Sequence, residues 1–183
     1  DFKGLIKHWA QRVNSVSGIA YKDDPAVFAW ELANEPRDEA DTSSKELAGW
    51  AQEMASYWKT LDPKHMVSTG LEGARAHDGT HYSGSDFQAV QAVPAIDFAC
   101  FHLYPVKDNL RYSLRAAKHA IRDYVHTAHD GMKKPVVMEE YGIEKKYDTE
   151  LDRYEWISGL MQPFVDAGGD GLNQWMLVDQ IGR

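Results

Sequence analysis

Pro25-Ala26-Val27-Phe28-Ala29-Trp30-Glu31-Leu32-Ala33-Asn34-Glu35-Pro36 is apolar through most of its length and then turns polar. The run is too short for an ordinary helix and has a proline at each end, so it reads as a strand over Val27 to Leu32. Its apolar residues are nearly continuous rather than alternating, as in a strand of a parallel sheet covered on both faces by helices. A helix follows. Leu47, Trp50, Ala51, Met54, Tyr57, Trp58 and Leu61 recur at helical spacing until Asp62-Pro63 stops them, and Ser43 with Glu46 is spaced as a capping box.

The same alternation continues along the chain. Further strands are expected over Met66 to Thr69, Ile96 to Leu103, Val136 to Glu139 and Gly171 to Leu177. Helices are expected over the first sixteen or so residues, ending before Gly18, then from Ser113 to His129 with a stop at Gly131, and from Glu150 to Ala167. A short helix fits around Phe87 to Val90. Strand-helix alternation defines an α/β fold, and the long polar connections after the strand ends are where a (β/α) barrel gathers its substrate-binding residues. A doubly wound sheet shares the pattern, but no Gly-rich phosphate turn follows the first strand.

Composition narrows the function. With 43% hydrophobic and 26% charged residues the chain can fill a core, and its 183 residues suit one domain or an incomplete piece of a larger one. Lys and Arg number 20 against 28 Asp and Glu, a net charge of -8 that argues against a phosphate-tracking surface and so against nucleic acid. No apolar run approaches the roughly 18 residues of a membrane span. Cys100 is the single cysteine, so an intrachain disulfide and a several-thiolate metal site are both excluded. The opening Asp1-Phe2-Lys3-Gly4-Leu5 lacks the pattern of a secretory leader.

Two glutamates fall at the C-terminal ends of expected strands: Glu35, before Pro36, and Glu140 in Val136-Val137-Met138-Glu139-Glu140-Tyr141-Gly142. Such a pair suits glycoside hydrolysis, in which one carboxylic acid protonates the departing oxygen while a second carboxylate attacks the anomeric carbon or activates water. Position alone leaves open the commoner alternative of a helix cap or a surface charge. Trp9, Trp50, Trp58 and Trp156 fall on helical apolar stripes and read as core. His77 and His81 flank Asp78, but Gly79 interrupts a helical arrangement and no His-Glu-x-x-His pattern accompanies them, so metal binding is disfavoured. His119, His126 and His129 read as solvated residues of a helix face, and Cys100 as a buried inert thiol.

The segments Trp30 to Arg37, Gly84-Ser85-Asp86-Phe87, Ile96 to Pro105 (with His102-Leu103-Tyr104-Pro105) and Glu139-Glu140-Tyr141-Gly142 together closely resemble the endo-β-1,4-mannanases of glycoside hydrolase family 5. The resemblance runs from about Pro25 to Trp175. It implies a (β/α)8 barrel and a retaining double displacement on mannan-type polysaccharide, with no metal or other cofactor and with secretion of the enzyme. It aligns Glu35 with the family's acid/base and Glu140 with its nucleophile. Asn34 aligns with the residue that hydrogen-bonds the sugar 2-OH. Tyr104 matches the tyrosine that donates to the nucleophile, His102 the histidine near the acid/base, and Trp175 the aromatic platform under the sugar. Arg37 and Glu72 resemble subsite residues. Strand alternation sets Met138 and Glu140 on one face and Glu139 on the other, which marks Glu139 as a paired structural carboxylate.

A complete barrel needs about 250 residues. In the family's order Val27 to Leu32 becomes strand four and Gly171 to Leu177 strand eight, so residues 1–183 form one partial domain carrying strands four to eight only, without the final helix. The expected outer strands are then four and eight, each with an unpaired edge. The missing strands, with an arginine and a further histidine of the family's site, would come from the rest of the parent chain. A β-1,4-glucanase on the same barrel, or a catalytically silent carbohydrate-binding fragment, are the alternative functions.

Overall fold

The structure, a computed structural model, describes residues 1–75, 84–107, 110–111, 113–143 and 153–176. They divide into two compact units, Asp1–Ala99 and Cys100–Arg183. His77, Asp78 and His81 lie outside the described residues, as does Leu177 at the end of the last expected strand.

In the first unit, α1 (Phe2–Gln11) is capped by Asp1, whose side chain accepts from the Lys3 N–H. It ends well before Gly18. Asn14 Oδ1 accepts from the N–H groups of Val16 and Ser17 at 2.8 and 3.2 Å, which turns the chain so that Val13 bridges Ala20. A local side-chain acceptor has thus won over helix continuation. Strand β1 (Ala29–Glu31) lies parallel to β2 (Met66–Ser68), with Trp30 opposite Val67.

Helix α2 (Lys45–Leu61) has the expected span and buries Leu47, Ala51, Met54, Ala55 and Trp58. Its start differs from the capping-box expectation. The Ser43 hydroxyl donates to Asp41 at 2.6 Å, and Asp41 itself accepts from the Glu46 N–H at 3.0 Å. The Glu46 N–H, followed by the Ser43 hydroxyl and N–H, lowers the Asp41 carboxyl to about 2. A carboxylate is the stronger partner for a helix N-terminus, so it displaces the serine. The helix stripe also corrects the reading of the tryptophans: Trp58 and Trp156 are buried, but Trp9 is 41% exposed and stacks on Tyr21.

Behind α2, the buried carboxylate of Asp62 accepts from Trp30 Nε1 at 2.8 Å, from His65 Nδ1 at 2.6 Å, and from the N–H groups of Lys64 and His65. This joins β1 to the turn before β2. Burial pushes the Asp62 carboxyl up, but the bonds from His65, Trp30 and the two N–H groups outweigh it and leave the carboxyl below its ordinary 3.8. A depressed folded value means that the stabilisation is complete above the unfolded value of about 3.9 and is lost as pH falls through the folded one. Asp62→Ala, by stranding the Trp30 and His65 donors, should cost about 3 kcal/mol at neutral pH. Denaturant titration of the full-length variant and wild type should show the gap narrowing as pH falls below 4. A gap independent of pH would refute the account.

Residues 96–98 precede the next strand rather than begin it. Asp97 Oδ2 accepts from the Val67 N–H at 2.7 Å, and the Ser68 hydroxyl donates to the Phe98 carbonyl at 3.0 Å, so side chains join the one main-chain bond from Asp97 N–H to the Val67 carbonyl in place of a regular ladder. Helix α3 (Phe87–Gln91) is capped by Asp86.

The second unit holds β3 (Ala99–Leu103), a short hairpin of β4 (Val106–Lys107) and β5 (Leu110–Arg111), β6 (Val136–Tyr141) and β7 (Gly171–Gln174). The hairpin has no counterpart in the sequence pattern. The main sheet runs β3-β6-β7, with β6 and β7 parallel. Helix α4 (Leu114–His126) is capped by the Ser113 side chain and continues as a wider π-type turn, Thr127–Met132. Helix α5 (Arg153–Asp166) packs against α4. Phe101 of β3 stacks on Tyr124 of α4 with ring centroids 4.2 Å apart. His129 is more than a solvated residue: its Nε2 lies 2.8 Å from Asp170 Oδ2, the same oxygen that accepts from the Val136 N–H. Among the described residues β1 pairs only with β2 and β7 only with β6, but β2 and β3 are end strands too, so the ladder does not run unbroken from the first strand to the last.

Candidate active site

The β1 and β2 ends in the first unit carry Asn34, Glu35, Arg37 and Glu72. Main-chain bonds continue past β1: Ala33 N–H donates to the Thr69 carbonyl at 3.3 Å and Glu35 N–H to the Gly70 carbonyl at 2.8 Å. Glu35 has φ 49, a left-handed conformation uncommon for a side chain of this kind and typical of strained functional positions. Gly70 makes that path possible. Its own φ is +69, and a Cβ there would lie 1.9 Å from the Ala33 carbonyl oxygen. Gly70→Ala should therefore destabilise the full-length protein by about 2 to 4 kcal/mol and reduce activity by displacing Glu35. Thermal melts and rates of the variant would check this, and wild-type behaviour in both would refute it.

Arg37 stands between two carboxylates, with Nη2 at 2.6 Å from Glu72 Oε2 and 3.5 Å from Glu35 Oε2. Ser85 Oγ is 3.5 Å from the other Glu72 oxygen. The sequence marked Arg37 and Glu72 individually; that they pair with each other is visible only here. Asn34 is exposed beside Glu35.

In the second unit, the Tyr104 hydroxyl donates to Glu140 Oε2. His102 of β3 turns Nδ1 toward the same Glu140 oxygen at 3.7 Å and Nε2 toward Glu139 Oε2 at 3.6 Å. The strand-parity expectation therefore fails for Glu139. Pairing of β6 with β7 shifts register between Met138 and Tyr141, so that three residues of β6 advance against two of β7. That bulge breaks alternation, and both glutamates reach one histidine. Glu139 is paired, as expected, through His102, although both of its oxygens are buried without a hydrogen-bond partner among the described residues. Burial also pushes the neighbouring Tyr141 phenol above its ordinary value.

Trp175, 53% exposed, follows β7, its N–H donating to the Tyr141 carbonyl at 3.0 Å. Its carbonyl oxygen would lie 2.4 Å from a Cβ on Gly142, which is why glycine follows Tyr141. The surface of this strand end thus carries an acceptor carboxylate, a phenol, an imidazole and an exposed indole, groups suited to holding and cleaving a sugar.

Parallel strands alternating with helices, with carboxylates at their C-terminal ends beside aromatic and imidazole groups, match the class of barrel glycoside hydrolases. A model of the family described as GH family 5 beta-mannosidase-like matches residues 1–158. The chain belongs to glycoside hydrolase family 5. It is 38% identical over 162 residues to mannan endo-1,4-beta-mannosidase 1 of Solanum lycopersicum, covering 82% of this chain and 41% of that protein. Among solved structures it is similar to the hyperthermostable endo-1,4-beta-D-mannanase of Thermotoga petrophila, with TM-score 0.87, 34% identity, and coverage of 99% of this chain and 54% of that one. The endo-1,4-beta-mannanase of Rhizomucor miehei follows with TM-score 0.79, 31% identity, and coverage of 94% and 51%. The chain therefore spans about half the length of these solved relatives, and its fold is an incomplete (β/α)8 barrel. Among the described residues no helix is long and apolar enough to cross a membrane.

Proposed function

We propose that the full-length protein is a retaining endo-β-1,4-mannanase in which Glu140 is the nucleophile and Glu35 the acid/base. The observation that carries this reading is the Tyr104 hydroxyl donating to Glu140 Oε2, on a strand end of a family 5 fold. A donor on that oxygen fixes its direction, which attack on an anomeric carbon requires. Glu35 first protonates the departing glycosidic oxygen as Glu140 bonds to the anomeric carbon and then, as a base, takes a proton from the water that cleaves the glycosyl-enzyme. Asn34 binds the 2-OH, and the Trp175 indole stacks on the apolar face of the sugar. Arg37 and Glu72 contact the chain at neighbouring positions. His102 orients the group at Glu140. The names of the tomato, Thermotoga and Rhizomucor relatives support β-1,4-mannan as the substrate.

The test is cleavage of mannan and of cellulose by the full-length enzyme, with products sized and their first-formed anomer followed by NMR. Short manno-oligosaccharides released as the β-anomer are expected. Cleavage of cellulose alone would mark a β-glucanase, an α-anomer would mark inversion, and binding without any cleavage would mark a silent binding protein; each overturns the proposal.

A further inference from the structure

The buried carboxylate of Glu139 has no place in the mechanism above and no evident structural return. Both oxygens are shielded from solvent without a hydrogen-bond partner among the described residues. An unpartnered carboxylate in the interior is costly, and an apolar side chain of similar volume would occupy the same space at less cost. Nε2 of His102 lies 3.6 Å from Glu139 Oε2. The other ring nitrogen, Nδ1, lies 3.7 Å from Glu140 Oε2, and the His102 side chain is itself buried. One imidazole is therefore set between two adjacent glutamates, brought to it together by the bulge in β6.

The state of that ring follows from electrostatics. A bare Nε2 lone pair pointed at a buried carboxylate is repulsive, whereas an Nε2–H pointed at it is attractive. We propose that Glu139 is a positioning residue, whose buried carboxylate keeps His102 protonated on both ring nitrogens, with Nε2–H facing Glu139 and Nδ1–H facing Glu140. The inference rests on the assignment of Glu140 as nucleophile. Glu139 touches neither substrate nor reacting atoms; it acts through His102, so that Oε2 of Glu140 is held from two sides, by Tyr104 and by the ring. A charged neighbour that orients an imidazole while its other nitrogen faces the reacting group is a general device for fixing protonation state and angle.

The experiment uses the full-length enzyme with 15N-labelled histidine, as wild type and as Glu139→Gln, together with labelling by a 2-fluoro mannoside. In the wild type, the His102 nitrogen shifts should report a proton on both Nε2 and Nδ1. In Glu139→Gln those shifts should change, kcat should fall roughly ten- to a hundredfold with KM nearly unchanged, and the unfolding temperature should not drop. A residue with a purely structural role would give the reverse, a lower unfolding temperature with kcat preserved, and that result would overturn the proposal. A wild-type His102 with a proton on only one ring nitrogen overturns it without recourse to any variant. The label separates the two levels: found on Glu140, it leaves the nucleophile assignment standing whatever Glu139→Gln does, and found on Glu139 or elsewhere it removes both.

Discussion

Glu140→Ala in the full-length enzyme is expected to abolish the glycosyl-enzyme and to lower kcat on mannan by roughly 10⁴-fold or more. The reason is that no neighbour of the Glu140 carboxylate can take over: Glu139, the adjacent carboxylate, is buried. Tyr104 and His102 face the Glu140 carboxylate as a donor and an ion-pair partner, and neither is itself a carboxylate. Alanine also opens space on that side of the sugar. A small anion such as azide should then restore part of the turnover, attacking from the vacated face and giving a product of inverted configuration. Activity measured with and without azide, and the anomeric form of the azide adduct, check the prediction. Full activity of the variant, or rescue with retained configuration, would remove Glu140 from the nucleophile's role.

What the sequence disclosed and what it withheld divide by the distance over which each feature is encoded. Helix α2 is legible because seven apolar residues share one stripe and Asp62-Pro63 ends it; its span needs no partner to be inferred. The α1 terminus was misplaced because Asn14 carries its information in a single side-chain oxygen that competes with the helix. The start of α2 turned on a choice between Ser43 and Asp41, two caps of similar pattern and unequal charge. Long-range pairings are absent from any periodicity: Trp30 with Asp62, Arg37 with Glu72, and His129 with Asp170 are each more than thirty residues apart.

Within the candidate site, Glu35, Glu140, His102 and Tyr104 stand out in the sequence because each sits at an expected strand end in a recognisable motif. The face on which Glu139 lies is not legible from alternation, for a physical reason. Alternation of faces assumes an unbroken ladder, and the register shift between Met138 and Tyr141 removes that assumption at the pair of residues it was meant to tell apart. The left-handed backbone of Glu35 and the glycine at position 70 that accommodates it are likewise properties of two strand ends meeting, not of either segment alone.

The acid/base assignment makes a sharper demand than loss of activity, because a general acid matters in proportion to how poorly the leaving group departs unaided. Glu35→Gln in the full-length enzyme removes the transferable proton while keeping the side chain's size and its place near Arg37. With mannan, whose leaving group is a sugar alkoxide, kcat should fall by roughly 10²- to 10⁴-fold. With an aryl mannoside bearing an acidic phenol, formation of the glycosyl-enzyme needs little proton donation, so the first step should remain fast. Breakdown should not, since the same residue must activate water. A burst of phenol followed by slow turnover is therefore expected, and azide should speed the second phase with retained configuration because Glu140 remains as nucleophile. The pH profile of kcat/KM on mannan should at the same time lose the limb that reports the acid. Equal rate losses on mannan and on the activated aryl mannoside, with no burst, would show that Glu35 shapes the site without transferring a proton.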